Sequence, residues 1–176
     1  MDDLVKQAML KWPNVPDCFD WLGLDARGDW YMRDSQVQAQ GDFPAPKGSR
    51  LAHAKLISFI ARNYSCDAQG RWFFQNGPQR VFVALENTPW IWRIRPLGAI
   101  YSHTEQRTQV VRCLLDELGH LYFETTMGIG LVHTQDVFAA SQLIEEFNWT
   151  VYPIGYDELP DRYRYSRNPK DNKKPA

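Results

Sequence analysis

Four histidines, His53, His103, His120 and His133, are the side chains best suited to proton transfer or metal binding near neutral pH. None lies four residues from another, so a helical pair of metal ligands is absent. His103-Thr104-Glu105 has the His-x-Glu of zinc deaminases, but the Pro-Cys-x-x-Cys that completes such a site is missing. Cys113 could be a nucleophile beside a histidine. It sits in Val110-Val111-Arg112-Cys113-Leu114-Leu115, a strand-like run in which a lone cysteine packs as a small hydrophobe. There is no Gly-x-Ser-x-Gly elbow and no phosphate loop, and Gly128-Ile129-Gly130 lacks the third glycine and the setting of a dinucleotide site. These patterns predict no catalytic set, no metal site and no cofactor. The alternative is a hydrolase or transferase whose acid–base residues meet only in the fold, for example His133 with Asp136 or Glu124.

Two segments could bind a ligand. In Trp90-Ile91-Trp92-Arg93-Ile94-Arg95, strand alternation puts Trp90, Trp92 and Ile94 on one face and Ile91, Arg93 and Arg95 on the other. The ordinary reading is an amphipathic strand with its tryptophans in the core and its arginines solvated. The sharper reading is an arginine platform for carboxylate or phosphate groups, to which the planar forked donors are matched. The second segment is Thr125-Thr126-Met127-Gly128-Ile129-Gly130-Leu131-Val132-His133. Gly128 and Gly130 would let a ligand or another chain approach the backbone, and the helix after His133 could present N–H groups to an anion. A hairpin turn or bulge explains the same glycines.

The elements that must carry these residues are announced by a repeat. Asp25-Ala26-Arg27-Gly28-Asp29-Trp30-Tyr31 is followed by Asp67-Ala68-Gln69-Gly70-Arg71-Trp72-Phe73 and by Asp116-Glu117-Leu118-Gly119-His120-Leu121-Tyr122. Asp can bond the N–H groups ahead of it, and Gly three residues on adopts positive φ at no steric cost. Each copy therefore predicts a tight hairpin turn leading into an aromatic strand, and the turn accounts for Asp25, Asp67 and Asp116 as structural residues. Around the hairpins, helices are expected over 2–11, over 50–63 with Ser49 as cap, and over about 135–147 with Val137, Ala140, Ile144 and Phe147 inward. Residues 34–48 read as a loop. Strands are expected at Arg80–Glu86, Trp90–Arg95, 108–115 and 120–126. The fold class is α+β, with antiparallel hairpins and meanders in repeated motifs and about three helices.

Composition narrows the classes further. The 176 residues carry 20 Lys and Arg against 21 Asp and Glu, a net charge of −1. A dedicated nucleic-acid binder needs a basic excess, which argues against that class. No stretch approaches the roughly 20 apolar residues of a membrane span. The N-terminus Met1-Asp2-Asp3-Leu4 does not read as a secretory signal, so the cytoplasm is the expected compartment. Three scattered cysteines, Cys18, Cys66 and Cys113, predict no disulfide framework. Seven Trp, eight Tyr and nine Phe should build the core. Residues 161–176 hold six basic side chains against Asp161 and Asp171. The chain is expected to divide into 1–98, 99–165 and a flexible basic tail over 166–176. Weak nucleic-acid contact through that tail and the arginine strand is a third, lesser reading.

The second and third repeats, the order Asp-x-x-Gly-x-aromatic-aromatic, helix, Asp-x-x-Gly-x-aromatic-aromatic, and the later Glu86-Asn87-Thr88-Pro89-Trp90-Ile91 together resemble the bacterial family known as domain of unknown function 1285. The resemblance covers about residues 23–133, and the chain is expected to belong to a separate uncharacterised proteobacterial family. It implies a two-part α+β fold of repeated motifs with a ligand-binding or signalling role and no established activity. The chain departs from that family in its longer loop at 34–48, in Asn87 where an acid is usual, and in residues 134–176, so no site residue is carried over. The expected function is a non-enzymatic module that binds an acidic small molecule or protein partner, with Arg93, Arg95, Gly128, Gly130 and His133 as candidate contacts. Ligand identity and oligomeric state are left open by the sequence.

Overall fold

The three Asp-x-x-Gly segments fold as hairpin turns built to one plan. In the structure, a computed structural model that describes residues 1–170, Gly28, Gly70 and Gly119 have φ of 82°, 75° and 83°. One carboxylate oxygen of each aspartate accepts the backbone N–H four residues on: Asp25 from Asp29 at 2.9 Å, Asp67 from Arg71 at 3.0 Å, and Asp116 from His120 at 2.7 Å. Each aspartate N–H in turn donates to the carbonyl of that same residue. The side chain thus satisfies an inward-facing donor, and glycine supplies the positive φ that closes the turn.

The chain runs α1 (Asp3–Lys11), β1 (Cys18–Leu24), β2 (Trp30–Met32), α2 (Ser35–Gln40), β3 (Ser49–Arg50), α3 (Ala54–Arg62), β4 (Tyr64–Cys66), β5 (Trp72–Asn76) and β6 (Gln79–Leu85). It continues with β7 (Trp90–Arg95), β8 (Ala99–Ser102), β9 (Arg107–Thr108), β10 (Val110–Leu115), β11 (Leu121–Thr125), β12 (Gly128–Val132), α4 (Val137–Glu146), β13 (Val151–Pro153) and α5 (Leu159–Tyr163). The architecture is α+β, with two mixed, mostly antiparallel sheets. The expected helices are α1, α3 and α4, and two shorter ones join them. One of these, α2, lies inside the segment 34–48 read as a loop, where Asp34 caps it by accepting from Val37 N at 2.9 Å. The cap of α3 is His53, whose Nδ1 accepts from Leu56 N at 3.2 Å. Ser49 belongs instead to β3, paired with Met32.

Two compact units divide the chain. The first comprises Met1–Asp25, Asp29–Glu86 and the described residues from Tyr165 to Lys170; the second comprises Ala26–Gly28 and Asn87–Arg164. The expected boundary after residue 98 lies between β7 and β8, which pair with each other. In the first unit the strand order is β3-β2-β1-β6-β5-β4, and in the second it is β13-β10-β11-β12-β7-β8-β9. Each sheet joins two three-stranded meanders by one parallel pair, β1 with β6 and β7 with β12. The same six-strand topology therefore occurs twice, and the second copy adds β13 beside β10.

Aromatic burial fills each unit. Trp30, Phe74, Phe82 and Val83 are buried in the first, and Trp92, Ile91, Leu114, Tyr122 and Phe123 in the second. On α4, Ala140 and Leu143 face inward, whereas Val137 and Phe147, expected inside, are exposed because the buried stripe is narrower than the apolar one. Residues 171–176 of the expected tail lie outside the described residues. Before them, Arg167 O accepts from Leu85 N at 2.8 Å and Lys170 Nζ meets Asp20 at 2.9 Å. No helix among the described residues is long and apolar enough to cross a membrane.

Candidate functional site

Strand β7 is buried through Trp90, Ile91 and Trp92 and becomes progressively exposed from Arg93 to Arg95. Trp90 and Trp92 are buried, with their indole N–H groups donating to Met127 O at 3.1 Å and Phe123 O at 2.8 Å. Arg93 and Arg95 take the opposite face. The register places Arg93 across from Tyr101 on β8, and Tyr101 across from Arg107 on the edge strand β9. Directly opposed residues share a face, so Arg93, Tyr101 and Arg107 form one cross-strand row. The Arg95 guanidinium lies 4.2 Å above the Tyr101 ring. A guanidinium over an aromatic face keeps its N–H donors pointing outward in its own plane, where they can meet a planar anion.

Acidic residues pair with two of the arginines, Arg93 in the row and Arg95 beside it. Arg93 Nε donates to Asp136 Oδ2, which also accepts the Ile94 N–H at 3.1 Å. That amide lies beyond the last residue of β12 that pairs with β7, so a side chain completes the ladder there. Arg95 pairs with Glu105, a largely exposed carboxylate, and exposed pairs of this kind contribute little to stability. Arg107 is exposed and makes no ion pair among the described residues. Arg93 and Arg107 thus flank Tyr101 in register, Arg95 lies over its ring, and carboxylates pair with Arg93 and Arg95.

The other expected contacts lie elsewhere in the second unit. A Cβ on Gly130 would stand 2.3 Å from Trp92 Nε1 and 2.8 Å from Trp90 Cβ, so the missing side chain makes room for the tryptophans. Gly128 follows the turn into β12 with φ of 119°. His133 is buried, and its Nδ1 accepts from Gln135 N at 3.1 Å as the cap of the turn before α4. The carboxylates considered for it are engaged elsewhere: Asp136 with Arg93, and Glu124 with Tyr163 at 2.9 Å and Arg112 at 3.6 Å.

A histidine–carboxylate pair does occur, at a place the sequence analysis assigned to turn structure alone. Asp116 Oδ2 lies 2.8 Å from His120 Nδ1 and accepts from the Tyr122 hydroxyl at 2.8 Å, and Asn87 Nδ2 donates to that hydroxyl at 3.2 Å. Burial disfavours the charge on Asp116, but hydrogen bonds from the His120 amide, the His120 ring and Tyr122 outweigh it and hold the carboxyl below its ordinary value. A cavity of about 660 Å³ opens beside it, lined in part by Asp116, Glu117, Tyr152, Ile154 and Glu158. The Asp-x-x-x-His spacing was the available signal. Tyr101 and Arg107 gave none, since only strand pairing brings them beside Arg93. His103 is held neutral: burial lowers its pKa to about 3, and Nδ1 accepts from Ile91 N at 3.3 Å.

A family model described as "Protein of unknown function (DUF2946)" matches residues 1–170. No curated protein matches the chain. Two solved structures similar to it are DUF1285 family proteins. One, from Silicibacter pomeroyi DSS-3, is 12% identical with a TM-score of 0.49 and covers 81% of this chain and 85% of its own. The other, from Shewanella baltica OS155, is 14% identical with a TM-score of 0.46 and covers 70% of this chain and 91% of its own.

Proposed function

The chain belongs to the family described as Protein of unknown function (DUF2946), and on that premise we propose that it is a non-catalytic binding module that holds a carboxylate or phosphate group on the arginine row of its second unit. The observation that carries this reading is the register Arg93–Tyr101–Arg107, with Arg95 stacked on the same ring. Arg107 contributes a guanidinium with no ion pair among the described residues, Arg93 a guanidinium oriented through Nε by Asp136, and Arg95 a donor whose partner Glu105 is exposed enough for an incoming anion to displace. Bidentate charge-assisted bonds are the strongest that such a surface can offer.

The test is titration of the protein with small dicarboxylates and phosphate monoesters, followed through amide and arginine side-chain NMR signals. Shifts should centre on Arg93, Tyr101 and Arg107. Replacing Arg93 or Arg107 with Ala removes a charge-assisted contact of about 1.5–3 kcal/mol, so affinity should fall by roughly ten- to a hundredfold. Shifts centred elsewhere, or unchanged affinity in both variants, refute the reading.

A second reading, proton transfer at His120, is favoured by the 2.8 Å bond that ties Nδ1 to a buried carboxylate and leaves Nε2 as the remaining ring nitrogen. Turnover of chromogenic esters or phosphate esters that His120→Gln abolishes would support it. Equal turnover by both proteins would reject it.

A further inference from the structure

We propose that the first unit binds a small neutral amphiphile, an alkyl chain ending in a hydroxyl or carboxamide, in an apolar cavity between α3 and its sheet. The cavity has a volume of about 270 Å³. Its floor is one face of the sheet, where Leu22 lies across from Met32, and Val81 across from both Cys18 and Phe74. Its roof is α3, through Leu56, Phe59 and Ile60. Ile60 is buried and Phe59 meets the Phe74 ring edge-on at 5.4 Å, yet Leu56 and Phe59 remain half-buried. The helix thus leaves apolar surface unpacked beneath it, in an interior where voids larger than a water are few.

Strand β1 is shaped to the same space. From Cys18 to Leu22 it advances four residues while β6 advances two, from Val81 to Val83, and Asp20 within that bulge has φ of 69°. Strict alternation would put Trp21 and Leu22 on opposite faces; in the bulge both line the cavity. A bulge that re-aims a side chain in this way is a device found beside functional sites. Trp21 and Met32, 44% and 45% exposed, mark the open edge through which a ligand enters.

The lining selects the occupant. No charged side chain among the described residues lines the cavity, so an ionic group would be desolvated there without a partner. Its polar side chains are Cys18 and Asn76. Asn76 is exposed at the end of β5, and its carboxamide makes no hydrogen bond among the described residues. It can exchange hydrogen bonds with a hydroxyl or amide head group while the chain lies against leucine, methionine and phenylalanine. Volume sets the size. An apolar cavity of about 150 Å³ holds benzene, so 270 Å³ corresponds to roughly ten or eleven non-hydrogen atoms.

The test exposes the full chain to 1-butanol, 1-hexanol or 1-octanol and follows the alkylation rate of each cysteine by peptide mass spectrometry. Cys18 lines the cavity, and exposed Cys66, which does not, is the internal control. Bound alcohol should slow the reaction of Cys18 and leave Cys66 unchanged. Each added methylene should lower the dissociation constant about fourfold, as a buried CH₂ group does, and octanoate should bind about tenfold more weakly than 1-octanol. Leu56→Trp should fill the cavity and abolish protection with the fold intact by circular dichroism, and Leu56→Ala should move the preferred chain length upward. If the tryptophan variant does not fold, the wild-type chain-length series and Leu56→Ala decide. No protection of Cys18, equal protection of both cysteines, no dependence on chain length, octanoate binding as 1-octanol does, or protection that survives in folded Leu56→Trp overturns the proposal. The arginine row lies in the second unit, so these outcomes are independent of the anion-binding reading.

Discussion

Asp116 and His120 meet twice across one turn: Oδ1 takes the His120 amide at 2.7 Å, and Oδ2 takes the His120 ring at 2.8 Å. The first bond recurs in all three turns, and the second distinguishes them. In the first turn the outer oxygen of Asp25 meets Lys47 at 3.2 Å, and in the second that of Asp67 meets Arg71 Nε at 2.8 Å. One local device thus leaves a spare acceptor whose partner differs at each site: a lysine at Asp25, an arginine at Asp67 and a histidine ring at Asp116.

Asp116 and Asp67 both have carboxyls held below their ordinary values in the fold. Burial opposes the charge in each case, and hydrogen bonds from the turn override it. A depressed folded pKa gives stability that is complete above the unfolded value, about 4, and is lost as pH falls through the folded one. Asp116→Asn should therefore lower stability at pH 7 by about 2–3 kcal/mol and flatten the acid limb below pH 4. Urea unfolding at a series of pH values reads both effects; an acid limb as steep as the wild type's would contradict the assignment.

His103 should not titrate between pH 5 and 8, because burial lowers its pKa to about 3. The unfolded chain binds a proton at this residue near pH 6.5, so stability declines as pH falls from there toward 3, by about 1.4 kcal/mol per pH unit. His103→Asn, whose amide oxygen can accept the Ile91 N–H, should reduce that decline. Histidine ring signals followed by NMR provide the check, and a His103 midpoint near 6.5 would contradict burial of the ring.

Gly130 and Gly119 are expected to respond differently to alanine. At Gly119 nothing lies within 4 Å of the new Cβ, so the cost is the positive φ alone, about 1 kcal/mol. At Gly130 the Cβ would collide with Trp92 and Trp90. Overpacking there should cost about 1–3 kcal/mol or more and disturb the tryptophans. Denaturation followed by tryptophan fluorescence separates the two, since only Gly130→Ala should alter the native emission.

Arg107→Ala should change stability by less than about 0.5 kcal/mol, as an exposed side chain with no ion pair among the described residues contributes little. Asp136→Ala should cost about 1–3 kcal/mol, because it frees Arg93 and leaves the Ile94 amide without its acceptor. Thermal unfolding of the two variants tests the contrast; similar losses would mean that Arg107 supports the fold.

How much was legible varied with the range of the interactions. The turns at 25–28, 67–70 and 116–119 were readable because every bond that closes them lies within five residues. The Trp-inward, Arg-outward sense of β7 was readable from alternation. Helix caps at His53 and Asp34 were not, since a polar side chain caps only where its own backbone is extended, and β3 takes Ser49 for a strand.

What the chain alone determined is therefore the set of local bends, the strands beside them and the sidedness of β7. Tertiary structure alone decided that β1 runs parallel to β6 and β7 to β12, that one topology is used twice, and that Tyr101 and Arg107 complete a row with Arg93. The reason is physical. A turn is stabilised by atoms that the backbone keeps adjacent, whereas a parallel pair and a cross-strand row depend on which segments, tens of residues apart, bury their rings against each other, and no local pattern records that choice.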